Sequence, residues 1–457
     1  MDSDIGSTRL FLWRKVPGAS GSSRFDLSRT WHYYSMAPFV QLQLFVLTIS
    51  LSGALLGQST SKSPLSSDVE TRILQDQLTK QRQAISQGDP SQVIASSRTL
   101  TELAFEDLSK VHSDLKQVQR SSATAKQMAA RERELRKILG SAFDDWGTAE
   151  ARQQRYSEAL GHFQDAERWD PSTPGVMRNL GTAAFRLEEY GESVRALSAA
   201  VAANPSDQTS RLMLAMSQFS LEQFAEAAKN FTLVSEAVLE DPRTTYAWAY
   251  SLIRTNQPQQ GNTLAGILEG RDLSPDVRLL VCKLYTASEN YEQALKCLRT
   301  LEASAESAEV HYQTGATLIR MNRPADAIAD LKAALKIDPS DADSQYDLAF
   351  ALLQTSQKEE GIAQLRSLVA ANPNYPQAQY QLGKVLLESG QTAEAIPYLE
   401  AAAKLSPKDD FVHYQLQVAY RRSGRAEDAD RELKKYKELK AGARDKAADR
   451  LNQNSKP

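Results

Sequence analysis

Small residues recur along the C-terminal two-thirds of this chain with a period that leaves few folds open. Ala159, Ser193, Ala227, Gly261, Ala294, Ala327, Gly361, Ala395 and Ala429 follow one another at intervals of 34 residues, apart from two of 33. Four residues after each stands a second set: Phe163, Leu197, Phe231, Ala265, Leu298, Leu331, Leu365, Leu399 and Leu433. That offset places both sets on one helical face. A third set precedes the first, with Gly147, Gly181, Ala215, Ala249, Cys282, Gly315, Ala349, Gly383 and Gln417 in register. A long side chain has no room where two helices cross closely, so nine copies in register predict nine helix crossings. Pro171, Pro205, Pro339, Pro373 and Pro407 recur with the same period and end helices, because proline lacks the donor and restricts the residue before it.

Self-similarity at such a period marks an array in which each unit covers its apolar face against its neighbours. The clearest copies read AEVHYQTGATLIRMNRPADAIADLKAALKIDPSD and PQAQYQLGKVLLESGQTAEAIPYLEAAAKLSPKD. They resemble the tetratricopeptide repeat family, whose 34-residue unit carries a Leu-Gly pair in its first helix, then small and large apolar slots, and a closing proline. The resemblance implies an all-α fold, a right-handed α-solenoid superhelix of helix-turn-helix repeats. About nine repeats are expected over residues 140–443, the poorest at Gly261 and Ala265. Gln417 and the charged run AEDADRELKKYKELKAGARDKAADR read as a terminal repeat with a solvated capping helix, and residues 444–457 as a polar tail.

Ahead of the array the chain divides into a polar segment 1–35, a leader 36–59, a linker 60–69 and a helical segment 70–139. Ala37 to Gly57 is uncharged and apolar, with Arg14, Lys15, Arg24 and Arg29 upstream and Gly57-Gln58-Ser59 offering a cleavage site, which is the pattern of an export signal. Two readings stay open: a cleaved signal giving a periplasmic or secreted protein, or an uncleaved single-pass anchor, against which Gln41 and Gln43 weigh. Counted from Met36 the signal has ordinary length but no basic flank, and counted from Met1 it is unusually long. In residues 70–139 the apolar residues recur at helical spacing, and Gln87-Gly88-Asp89-Pro90 predicts a turn between two helices. A degenerate repeat or N-terminal cap fits this segment better than a dimerising coiled coil.

The formal net charge of −3 gives no field favouring nucleic acid. The five histidines, His32, His112, His162, His311 and His413, sit in no zinc-ligand spacing, and His311 and His413 occupy equivalent repeat positions, which points to a structural role. No phosphate loop and no nucleophile elbow is present, and residues 60–139 are too few for a catalytic domain. No enzyme activity, cofactor or metal is therefore expected. Cys282 and Cys297, one on each helix of a single repeat, are either small core residues or a bridge.

The resemblance implies that a protein or peptide partner binds the concave face, lined by first helices. One first-helix position carries Tyr246, Tyr312, Tyr346, Tyr380 and Tyr414, and one turn on come Tyr250, Phe350 and Lys384. Tyrosine offers large area with a polar handle, so the ladder is a candidate binding surface, with generic groove lining as the alternative. The clamp by which some family members hold a chaperone's terminal carboxylate is not expected, since tyrosine stands where it needs lysine, and Thr182 and Tyr250 replace its asparagine. Arg178, Arg186, Arg243 and Arg254 supply scattered positive charge to the earlier groove. The expected function is a non-enzymatic interaction scaffold, exported or membrane-facing. The alternative is a membrane-anchored regulatory or assembly subunit of a larger envelope complex.

Overall fold

The structure, a computed structural model, describes residues 65–117 and 123–454. Every regular element among them is a helix, twenty-one in all. The segment 1–35 and the leader lie outside the described residues, and among the described ones no helix is long and apolar enough to cross a membrane.

The first helices are α1 (Leu65–Gln87), α2 (Pro90–Leu115), α3 (Ala123–Arg152), α4 (Tyr156–Trp169), α5 (Val176–Arg186), α6 (Tyr190–Ala203), α7 (Gln208–Ser220), α8 (Phe224–Thr232), α9 (Ser235–Glu240) and α10 (Pro242–Arg254). With the start of α11 (Pro258–Glu269) they make one compact unit, ending at Gly261. The turn expected at Gly88 is present: Gly88 has φ +74°, the Asp89 carboxylate accepts from the Ser91 N–H at 2.9 Å, and Pro90 opens α2. Leu100, Ala104 and Leu108 of α2 close against Leu135, Leu139 and Phe143 of α3, so the apolar stripe ahead of the repeats is covered within this unit. The domain boundary expected at 139/140 falls inside α3, which is continuous. Its N-terminal half packs on α2 and its C-terminal half carries Gly147 into the first repeat pair with α4. The expected linker 60–69 likewise overlaps α1, which begins at Leu65.

From Asn262 a second unit continues through α12 (Pro275–Ala287), α13 (Tyr291–Glu302), α14 (Ala308–Arg320), α15 (Pro324–Ile337), α16 (Ala342–Gln354), α17 (Lys358–Ala371), α18 (Pro376–Glu388), α19 (Thr392–Leu405), α20 (Asp410–Arg422) and α21 (Ala426–Asn454). The residues expected to be polar tail are helical as far as Asn454, an extension of the charged cap.

Within each unit the helices form the pairs that the repeat predicts, and the architecture is an all-α solenoid. The slots explain the pairing. A Cβ added to Gly147 would stand 2.8 Å from the Phe163 ring, and one on Gly181 would stand 2.6 Å from Leu197 Cγ. In the second unit, Gly315 meets Leu331 at 2.6 Å and Gly383 meets Leu399 at 2.7 Å in the same way. Each first-helix small residue is thus the seat of the large residue on its second helix, and added volume has nowhere to go. Residues before the recurring prolines are extended, as with Asp170 at φ −145° and Asp338 at φ −125°.

One periodic feature escaped the sequence. The turn inside the pairs holds a residue at positive φ: Gln154, Glu188, Glu222, Asn256, Glu289 and Asn322 at 57 to 62°, then Gly390 and Gly424. Because six of these are not glycine, the residue that normally marks such a turn is missing there.

Of the two readings for the cysteines, the bridge holds. Cys282 of α12 and Cys297 of α13 form a disulfide with Cα atoms 5.4 Å apart, tying together the two helices of one repeat.

Candidate functional site

The expected tyrosine ladder divides between the two units. In the first, Tyr246 on α10 is 6% exposed and stacks on Tyr250. Burial pushes its hydroxyl pKa upward. Tyr250, one turn on, lies against Tyr246, Phe219 and Phe224 with ring centroids 5.6 to 6.1 Å apart. The Arg254 guanidinium sits 4.7 Å over the Phe224 ring and donates to the Tyr250 hydroxyl at 3.1 Å. The Phe219, Phe224 and Tyr250 rings of this cluster are half-buried, and the last two carry a cation. The other early arginines are also engaged: Arg178 lies 3.6 Å from Asp207, and Arg186 lies 5.8 Å over Tyr156.

The second unit places the same slot differently. Tyr312 on α14 is buried, 8% exposed, while Tyr346 on α16 and Tyr380 on α18 are half-buried and Tyr414 on α20 is 45% exposed. Phe350 and Lys384 are half-buried, Lys384 lying 3.9 Å from the exposed Glu388. Each outer tyrosine leans on an aromatic further along the chain, at the N-cap of α18, on α20 and on α21 in turn. Tyr346 meets Tyr375 at 5.7 Å, Tyr380 meets Phe411 edge-on at 4.9 Å, and Tyr414 meets Tyr436 at 5.4 Å. Phe411 is 48% exposed, so an apolar edge beside Tyr414 meets solvent.

Two carboxylates lie among these rings. Asp343 and Asp347 stand one turn apart on α16, flanking Tyr346. Asp343 accepts from the Tyr375 hydroxyl at 2.7 Å. Burial pushes the Asp347 carboxyl up to about 7, with Asp343 and Asp341 adding to the rise and the Arg320 charge opposing it. Burial and these acids together raise Tyr312, and burial with Asp347 takes Tyr346 up to about 12. Arg320 at the end of α14 has a buried Nη1 with no hydrogen-bond partner. This face therefore sets aromatic rings beside two carboxylates, one of which burial holds toward its neutral form, and a cation with an unpartnered Nη1.

The sequence reading singled out the tyrosines but not Asp343, Asp347, Tyr375 or Phe411. The available signal was an Asp pair at i and i+4 around a ladder tyrosine, which repeats at no other copy and so does not register in a search for periodicity. Tyr312, expected in the binding ladder, is instead a core residue.

Among the described residues the histidines lie beside carboxylates. His162 Nδ1 is 2.7 Å from Glu150, a buried acid that also accepts from Trp146 Nε1 at 3.1 Å. His413 Nδ1 is 2.6 Å from Glu432 on α21, and its Nε2 is 3.1 Å from the Pro407 carbonyl. His311 is buried beside Glu302 and Asp330.

Tetratricopeptide repeat families match residues 145–208, 178–234 and 283–342, residues 318–384 and residues 376–419. The chain belongs to the tetratricopeptide repeat family, whose members are typically non-enzymatic scaffolds for protein partners. No curated protein matches it. Among solved structures, it is similar to MamA from Desulfovibrio magneticus RS-1 at 22% identity, over 37% of this chain and 96% of that one, with a TM-score of 0.34. It is also similar to a tetratricopeptide repeat protein from Parabacteroides merdae at 15% identity, over 54% of this chain and 99% of that one, with a TM-score of 0.40.

Proposed function

We propose that this protein is an exported, non-enzymatic scaffold that holds a segment of a partner protein against the first helices of its second unit. The observation that carries this reading is the placement of Asp343 and Asp347 beside Tyr346 and Tyr375, on a unit whose later copies carry the exposed Phe411 and Tyr414. A Lys or Arg side chain would satisfy the acids, and flanking apolar side chains would cover the aromatic edges. The concave-face binding expected from the family is thereby narrowed to a basic and apolar segment. Aromatic anchors beside a desolvated charge are the usual composition of a binding hot spot.

Two features support export. One is the apolar leader with its basic flank, and the other is a disulfide within a repeat, a bond that persists in oxidising compartments and is rare in the cytosol. The anchored alternative rests on the same leader, and the mass of the mature N-terminus separates the two. A mature chain starting near Ser59 or Thr60 supports a released periplasmic or secreted scaffold, and an intact leader in the membrane fraction supports the anchored subunit.

Selection of displayed peptides against the full chain tests the binding reading. Enriched peptides carrying Lys or Arg beside aromatic or aliphatic residues are the expected outcome. Enrichment of acidic peptides, or of none, contradicts it.

A further inference from the structure

We propose that Glu302, His311 and Asp330 form a binding site for a divalent transition-metal ion of borderline character, such as Zn²⁺. The three residues come from α13, α14 and α15, and one ligand atom from each lies within 4.8 Å of the others. His311 Nδ1 stands 3.2 Å from Glu302 Oε1 and 3.8 Å from Asp330 Oδ1. Ligands held 2.0–2.2 Å from one Zn²⁺ lie roughly 3.3–3.6 Å apart, so the donors need only small shifts to share an ion.

The imidazole supplies a second, independent observation. Its side chain is 7% exposed, yet Nδ1 makes no hydrogen bond despite the Glu302 carboxylate 3.2 Å away. The other nitrogen, Nε2, is 3.2 Å from the Glu306 carboxylate, which can only accept when ionised, so Nε2 carries the hydrogen. In the neutral ring this leaves a lone pair on Nδ1 facing two negative groups. A ring N–H held by a carboxylate while the other nitrogen faces carboxylate donors is how histidine ligands are oriented at metal sites.

The repeat contains its own control. His413 and Glu432 stand where His311 and Asp330 stand, three copies later. There Nδ1 meets Glu432 at 2.6 Å and Nε2 meets the Pro407 carbonyl at 3.1 Å, so both nitrogens are in use, and Lys404 stands where Glu302 would be. The His311 set forms no short sequence motif, because its ligands are spread over three helices.

Arg299 is the competitor. Its guanidinium holds both oxygens of Asp330 at 2.6 and 2.8 Å and Glu302 Oε2 at 2.8 Å. The side chain is 46% exposed and can swing into solvent when a dication takes over its role. A site with one imidazole and two carboxylates suits Zn²⁺, Co²⁺ or Ni²⁺ and keeps a position open for water.

Titration of the full chain with ZnCl₂ after chelator treatment, followed by calorimetry, tests this. One equivalent is expected to bind and to be lost in His311→Ala and in Asp330→Asn, with affinity down at least tenfold, and to be retained in His413→Ala. Arg299→Gln should bind at least threefold more tightly. With Co²⁺, a visible d–d band should be present in the wild type and absent from His311→Ala, and circular dichroism of each variant checks that it is folded. No binding by a folded wild type, binding unchanged in both folded ligand variants, or weaker binding in Arg299→Gln overturns the assignment. This outcome is independent of whether the second unit binds peptides.

Discussion

Tyr250 and Tyr414 come from neighbouring slots in different copies of the repeat: Tyr250 is half-buried with the Arg254 guanidinium over its ring, and Tyr414 is 45% exposed. In the first unit, Tyr250 meets Tyr246, Phe219 and Phe224, and Arg254 lies over Phe224 and Tyr250. In the second, Tyr346, Tyr380 and Tyr414 meet Tyr375, Phe411 and Tyr436, with Asp343 and Asp347 beside the first of these pairs. The difference shows that a repeat position specifies where a side chain starts, while its neighbours decide whether it becomes core or surface. An arginine one turn on closes the first cluster, and carboxylates keep the second polar and open.

Four changes break or sharpen this contrast, and because an array's stability is carried by nearest neighbours, each effect should be local. The largest is loss of the bridge, found only in the second unit. Replacing both Cys282 and Cys297 by Ala should lower that unit's stability by about 3 kcal/mol, from loop-closure entropy. Hydrogen exchange with and without reductant reads this, and the reduced wild type should match the variant while the first unit stays unchanged.

Next, Ala327→Leu forces volume into the crossing of α14 and α15 and should cost about 2 kcal/mol by overpacking. An unchanged denaturation midpoint would show that the repeat register is wrong.

Third comes the buried acid. Asp347 titrates near 7 in the fold, well above its unfolded value near 4. The folded state thus holds the proton over that interval, so stability should fall as pH rises from about 4 to 7 and level off above. Asp347→Asn should flatten this slope and stabilise the second unit at pH 8 by about 1–2 kcal/mol, at the expense of partner binding. A variant less stable than wild type at pH 8 would mean that Arg320 already satisfies the acid.

The smallest effect should come from the turns common to both units. Glu222→Gly and Asn322→Gly place glycine at φ +59° and +57° and should each stabilise by about 0.5–1 kcal/mol in thermal melts. Gly390→Ala, at φ +80°, should destabilise by a similar amount.

Most of the fold was legible because its determinants repeat. The small and large slots gave the helix pairs, and proline gave their ends. Legibility failed where the determinant was local. Nothing at Leu139 or Gly140 announces that α3 runs through the boundary, since both sides are equally good helix and the helix is held by packing on α2 and α4. Negative-charge clustering at Asp343 and Asp347, and the meeting of Glu302, His311 and Asp330, depend on which copies carry the exceptions. The bridge was readable as a possibility from its place in the repeat, but only the approach of the two helices decided it.

The central claim is that partner contacts fall on the open face and not the closed one. The direct measurement is the affinity of a selected peptide for the full chain, by fluorescence polarisation, with Phe411→Ala, Asp347→Asn and Tyr250→Ala compared with wild type. The account predicts at least a tenfold loss for each of the first two and a change under twofold for Tyr250→Ala. Loss confined to Tyr250→Ala, with the second-unit variants unchanged, would contradict it.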